Sequence, residues 1–200
     1  MTTGLDAKSL ENLQLDAGVF LRNFDYSNIK TTAELRAALA TAAANAANRM
    51  GATRGDGVFS AVPQRRSPEM NGKRYEYVGG TRYDSWEIKM TGTLLETTAQ
   101  NIRDVLSTAD FKKDGDITTL TLRTQPKKED YMNLVWVGDT AYGMIMICLK
   151  NALNVAGMTF TFTDKGEGTL PFEFHAHQAA VTDYDKAPFE IKLLEEPAAA

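Results

Sequence analysis

Two histidines, one cysteine and a few clustered carboxylates are the side chains here whose types invite chemistry. His175 and His177 stand two apart, with Glu173 at the same parity. Successive side chains of a strand alternate between faces, so an extended segment puts all three on one side. Imidazole and carboxylate on one face could hold a divalent ion. No further histidine completes such a set, and a solvated polar strand face explains the trio better. Cys148 sits in the apolar run Ile145–Leu149 and reads as a small buried hydrophobe rather than a nucleophile. A single cysteine also excludes an internal disulfide.

The remaining candidates read as scaffold. There is no Gly-x-Ser-x-Gly elbow, and no Lys-Ser or Lys-Thr pair follows the glycines of Gly51–Gly57 to make a phosphate loop. The carboxylates Glu129-Asp130, and Asp183 with Asp185, adjoin turns and read as loop charges. A general acid–base pair needs an apolar pocket to separate two pKa values, and nothing points to one. Lys127-Lys128 and Arg65-Arg66 are short basic runs expected in loops. Arg54-Gly55-Asp56 spells an adhesion tripeptide but reads as a turn. Trp86 and Trp136 lie on predicted strands among apolar neighbours, where core packing is expected. No catalytic, cofactor-binding or metal residue is therefore assigned, no cofactor is expected, and the chain is expected not to be an enzyme.

Composition bounds the rest. A chain of 200 residues, 43% hydrophobic and 24% charged, can bury roughly 70% of its extended surface as one domain without staples. Met1–Asp16 shows no basic and apolar succession of a secretory signal. The longest apolar run, Met144–Leu149, is too short to span a bilayer. A net charge of −4 with mixed signs disfavours a grip on phosphates, yet suits a surface that DNA passes without sticking.

The elements that must carry these residues are mostly strands. Leu13–Tyr26 reads as an extended arm or short edge strand. Thr31–Asn48 is Ala-rich and helical, with Thr31 or Thr32 as cap and Gly51 beyond its end. Val58–Gln64 reads as a strand, and Arg65–Gly80 as a projecting hairpin or loop around Asn71-Gly72, with Tyr75–Val78 on the return. In Tyr83–Gly92, Trp86, Ile88 and Met90 oppose Ser85, Glu87, Lys89 and Thr91. Leu95, Ala99, Ile102, Leu106 and Ala109 recur at helical spacing. Further strands are expected at Ile117–Thr124, Tyr131–Val137 (closed by a Gly138-Asp139 turn), Tyr142–Leu149 in a central position, Gly157–Thr163, Thr169–Ala176 and Pro188–Leu194. Pro171 marks an edge. The tail Pro197–Ala200 is expected to fray. The fold class expected is mainly β (α+β): two packed antiparallel sheets or a half-open β-barrel with a flanking α-helix. It forms a single domain, 1–200, with an N-terminal arm (1–30), an Ala-rich helical segment (31–50) and a projecting hairpin or loop (64–82).

Four stretches together resemble the tail tube, or major tail, proteins of long non-contractile phage tails. They are Leu15–Phe24 (LDAGVFLRNF), Gly79–Leu95 (GGTRYDSWEIKMTGTLL), Asn133–Thr140 (NLVWVGDT) and Asp164–His177 (DKGEGTLPFEFHAH). The resemblance implies two packed sheets with a flanking helix and self-assembly into hexameric rings. Strands of successive copies then line an inner barrel, and the rings stack into a virion tail tube through which DNA passes unbound. It implies as partners other copies of the chain and the tape measure, terminator and distal tail proteins, with assembly in the host bacterial cytoplasm. Ile117–Thr124 and Gly157–Thr163 become candidates for the lumen. Leu13–Tyr26 and Arg65–Gly80 become candidates for contact between rings. The Ala-rich Ala33–Ala47 departs from the family pattern, as a helical insertion or an arm ordered on assembly. Alternatives are the tube subunit of a contractile injection system, a tail terminator, or a small metal-dependent β-barrel enzyme using Glu173, His175 and His177.

Overall fold

The computed structural model describes residues 13, 16–181 and 185–196. The frayed tail expected at Pro197–Ala200, Asp183, and nearly all of Met1–Leu15 lie outside the described residues. The described chain is mainly β. Its strands are β1 (Val19–Arg22), β2 (Val58–Arg66), β3 (Arg82–Leu94), β4 (Ala109–Asp114), β5 (Ile117–Leu122), β6 (Met132–Thr140), β7 (Gly143–Asn154), β8 (Leu170–His175) and β9 (Phe189–Glu195). Two α-helices accompany them, α1 (Thr32–Ala44) and α2 (Ala99–Leu106). Seven strands form one sheet in the order β1-β6-β7-β8-β3-β2, with β9 also on β7, and β4 and β5 form a separate hairpin. Every pairing is antiparallel.

The two expected facing sheets are thus the two halves of one curled sheet. β7 belongs to both: Gly143–Leu149 pairs with β6 and β9, and Leu153–Asn154 pairs with β8. The register against β6 slips between Met132 and Leu134, so that Lys150 and Asn151 together oppose Asn133. Such a bulge bends a strand and increases its twist. Asn151 sits there at φ 49°, a left-handed conformation that Asn tolerates better than most residues. Its amide nitrogen donates to Asn133 Oδ1 at 3.2 Å, and its Nδ2 donates to the His177 carbonyl at 3.1 Å. Past the bend the halves face each other, and Phe20 of β1 meets Phe172 of β8 edge-on with ring centroids 5.3 Å apart. Leu134, Leu149, Met90, Leu94, Leu170 and Phe174 complete this core.

The helices close its open sides. Thr31 caps α1 in a reciprocal box with Glu34. Leu35 and Ala42 of α1 pack on Val135, Val137, Met144, Met146 and Cys148, the other face of β6 and β7. The Ala-rich segment is therefore a packed helix in the isolated chain. It ends at Asn45 rather than near Gly51. The second helix is shorter than its apolar spacing suggests. Thr98 caps it, Ser107 at φ 65° stops it, and Ala109 opens β4. Asn154, buried, ties α2 to the sheet: its Nδ2 donates to the Val105 carbonyl at 2.7 Å and its Oδ1 accepts from Glu173 N at 2.6 Å.

A buried ion pair fixes the far end of α2. Arg22, on the same strand face as Phe20, is 2% exposed. Its Nε lies 2.9 Å from Asp104 Oδ2, but off the N–H axis, so the contact is ionic and leaves Nε and Nη1 without aligned acceptors. Its Nη2 donates to Asn101 Oδ1, and Asn101 Nδ2 in turn donates to the carbonyls of Met50 and Glu96. Burial pushes the Arg22 guanidinium below its ordinary range and the Asp104 carboxyl above its own, each opposed by the partner's charge. Both directions mark a pair that is desolvated and incompletely compensated.

Three further expectations are corrected, and one left open between two readings is resolved. Gly157–Thr163 alternates but forms only one bridge, Thr161 to Thr169, and Phe162 is exposed. Gly138 and Asp139 continue β6 opposite Ile145 and Met144, and the chain turns at Ala141-Tyr142. Tyr75–Val78 is exposed loop; the strand returns at Arg82. The arm-or-edge segment is an edge strand over Val19–Arg22, in register with β6. Pro171 does lie at an edge: β3 flanks it on one side, and β7 pairs with β8 only at His175 and Phe174.

Two outcomes are expected. Asn151→Val, forced to hold φ above zero, should lower stability by about 1–3 kcal/mol in urea melts, with Asn151→Gly losing less. Arg22→Ala should cost about 3–5 kcal/mol by stranding Asp104, and the double change Arg22→Met with Asp104→Leu should recover most of that loss.

Candidate functional site

The predicted trio is split by the end of β8. Glu173 and His175 share the outward face of the strand, where the His175 Nε2–H donates to Glu173 Oε1 at 2.9 Å. His177 lies past the strand end. Its amide donates to the Lys150 carbonyl at 3.2 Å, and its Nδ1 lies 3.1 Å from the Asn151 carbonyl. A carbonyl only accepts, so Nδ1 carries the proton. With Tyr131 edge-on to its ring at 5.2 Å, His177 braces the β7 bulge instead of facing a ligand. Glu87 of β3 takes its place beside Glu173 and His175: one ligand atom from each lies within 4.8 Å of the others. Between the carboxylates reaches Lys89, its Nζ 3.1 Å from Glu87 Oε1 and 3.4 Å from Glu173 Oε1. Hydrogen bonding to Glu87, with Glu173 nearby, raises the Lys89 ammonium above its ordinary range. The His175 hydrogen bond, helped by Lys89, holds Glu173 below the usual carboxylate range.

The other singled-out residues divide between core and surface. Cys148 is buried, and burial pushes its thiol up, which makes it a poor nucleophile. Trp136 packs on the core, and its Nε1 donates to the Ala17 carbonyl at 2.9 Å. Trp86, expected in the core, is 51% exposed, because β3 at that point has outrun the cover of β8; Tyr83 lies beside it at 5.5 Å. Asp130, expected as a loop charge, is buried beneath Arg123, whose Nη2 reaches its two oxygens at 2.7 and 2.8 Å. Arg123 also meets Asp110 of β4 at 3.0 Å, so this network staples the β4–β5 hairpin to the following loop. Glu129 stays exposed near Lys127. Arg65 and Arg66 end β2, with Arg66 paired to Asp84. Arg54-Gly55-Asp56 lies in a bend whose Arg54 pairs with Glu167 at 3.2 Å.

The larger feature is where the curl stops. Among the described residues β2 pairs only with β3, and β9 only with β7. Phe59 of β2 and Phe189 of β9 touch, with ring centroids 5.5 Å apart, but their strands do not join. A cleft of about 430 Å³ opens there over Phe20, Met90, Trp136 and Ile147. A second, about 770 Å³, lies between Tyr83–Trp86 and Lys186–Phe189. Exposed apolar side chains cluster on the same strands: Trp86, Ile191 and Leu193 on the face that carries Met90 and Ile147, and Val58 and Val62 on the opposite face of β2, with Leu193 72% exposed. β9 was legible as an alternating strand, but not that its more apolar face would be the open one; only the pairing with β7 reveals that. Among the described residues no helix is long and apolar enough to cross a membrane.

Asp130 gives a pH signature. Burial pushes its carboxyl up, but Arg123 and the Lys127 amide outweigh that and hold it below 3.8. Its stabilisation is therefore fully present above the ordinary carboxylate range and is lost as pH falls below it, through the lowered pKa of the folded state. Asp130→Asn should cost about 1.5–3 kcal/mol near neutrality, and the gap from the parent should close in denaturant melts taken below about pH 4. Comparison with protein-family models and with curated proteins finds no match for this chain.

Proposed function

We propose that this chain is a structural subunit that assembles with its own copies into stacked rings, the tube of a phage-like tail. The observation that carries this reading is the pair of unpaired strand edges, β2 and β9, at the margins of a sheet that curls without closing and leaves a cleft between them. A sheet edge is a row of unmet backbone donors and acceptors, and monomeric proteins usually blunt such edges. Here they are bordered by exposed Val58, Val62, Ile191 and Leu193. A strand edge of a neighbouring copy supplies the missing hydrogen bonds, and its apolar side chains cover the strip. The sequence resemblance adds the hexameric ring and the non-contractile tail.

Within this reading the loop 67–81, with Tyr75, Tyr77 and Val78 exposed, is the contact between rings. Leu13–Tyr26 is the weaker candidate, because Phe20, Leu21 and Phe24 are spent in the chain's own core. β5, rich in threonine, remains a lumen candidate, and Gly157–Thr163 no longer supplies a strand for that role. An overall net charge of −4 lets DNA slide past instead of binding.

Negative-stain microscopy of the purified chain at high concentration should show rings or hollow rods. Leu193→Lys, at an exposed position, should change monomer stability by less than about 0.5 kcal/mol yet abolish the rods. A chain that stays monomeric at millimolar concentration and never forms rods overturns the reading, as do rods that ignore Leu193→Lys and a matching Val62→Lys.

A further inference from the structure

The outward face of β3 and β8 carries a cluster of charged side chains, with Glu87 directly across from Val62 of β2. Two carboxylates from neighbouring strands, Glu87 and Glu173, converge with the imidazole of His175 so that one ligand atom of each lies within 4.8 Å of the rest. Carboxylates held this close repel unless a cation stands between them. The resident cation is the Lys89 ammonium, 3.1 Å from one and 3.4 Å from the other. Lys89 stands directly across from His175 in the β3–β8 register, so the strand pairing itself aims the lysine into the cluster.

We propose that Glu87, Glu173 and His175 form a binding site for a borderline divalent metal ion of the zinc class, kept closed by Lys89. The donor set, one imidazole nitrogen with two carboxylate oxygens, uses ligand types that zinc accepts and fills three of its four positions, leaving one open. With Lys89 inside, the charges of the cluster sum to −1; a divalent ion in its place brings the carboxylates and metal to zero. Lys89, on a flexible four-carbon stem and 31% exposed, swings into water still protonated. For His175 to ligate, the proton that Nε2 now shares with Glu173 leaves that nitrogen for Nδ1, and Nε2 turns its lone pair to the metal. Zinc ligands at about 2.0–2.2 Å sit about 3.4 Å from each other. The cluster must therefore contract, and Glu87, with 44% of its side chain exposed, has room to move inward. Because the ligands come from two strands, the ion would clamp β3 to β8 and stabilise the fold in proportion to its concentration.

The test is calorimetric titration of the full chain with zinc chloride at pH 7, with thermal melts alongside. The parent should bind one equivalent. Lys89→Met should bind roughly tenfold or more tightly, a gain that misfolding cannot produce, and a tenfold step is resolved easily. His175→Ala should weaken binding roughly tenfold or more, in the range seen when metal sites lose a supporting group. His177→Ala should leave zinc affinity unchanged. No heat and no melting shift from zinc at millimolar concentration in both the parent and Lys89→Met overturns the proposal. So does a Lys89→Met chain that binds no tighter than the parent, or a loss on His177→Ala equal to that on His175→Ala.

Discussion

The architecture depends on one bend. β7 cannot pair with β6 and β9 along its first half and with β8 at its end unless it turns between them. The extra residue at Lys150-Asn151 makes that turn. Its geometry is held by Asn133 from one side and by His177 from the other. Without the bend the sheet would open flat, and Phe20 would have no Phe172 to meet. The bend also explains the placement of α2, since Asn154, just beyond it, donates to the helix carbonyl and accepts from the β8 amide.

A curl of this kind has to end somewhere, and here it ends without closing. Phe59 and Phe189 bring the two margins to van der Waals range, but aromatic contact does not satisfy backbone hydrogen bonds. The result is a fold whose deep core is packed with apolar side chains, while one flank leaves both polar backbone and apolar side chains to solvent. Those two liabilities are normally kept apart. Their coincidence on β2 and β9 is the strongest physical reason to read the chain as one part of a larger object. The ion networks behave differently. Arg22 with Asp104, and Arg123 with Asp130, sit at joints inside the chain and serve its own geometry.

Most strands could be read from alternation, because half-buried strands impose a period of two on their residues. The central position of β7 was legible from apolar residues on both faces; the cap of α1 was legible only as Thr31 or Thr32, and the bonds to Glu34 place it at Thr31. The failures have physical causes. Met158, Phe160 and Phe162 alternate as a strand would, but alternation says nothing about whether a partner strand is within reach. Ala109 continues the helical spacing of Leu95–Leu106, yet Ser107 leaves the helix two residues earlier. Gly138 looks like a turn residue; in the fold its missing side chain makes room for the Trp136 ring, which a Cβ would meet at 2.5 Å. The cluster around Lys89 was half legible. Glu173 and His175 share a strand, whereas Glu87 and Lys89 join them only through the β3–β8 register, which no local pattern encodes. His177 was misplaced because the strand ends at His175, two residues too soon to carry it.

The β2–β3 ribbon has a mechanical consequence. β8 supports β3 only from Lys89 to Leu94, so the stretch that runs out to Arg66 and Arg82 is two strands wide. A ribbon of two strands twists more readily than a broad sheet, and the bulge between Gln64 and Arg65 softens it further. The tip is therefore sprung rather than welded to the body. A load applied at the tip is taken up by twisting of this ribbon before it reaches the core.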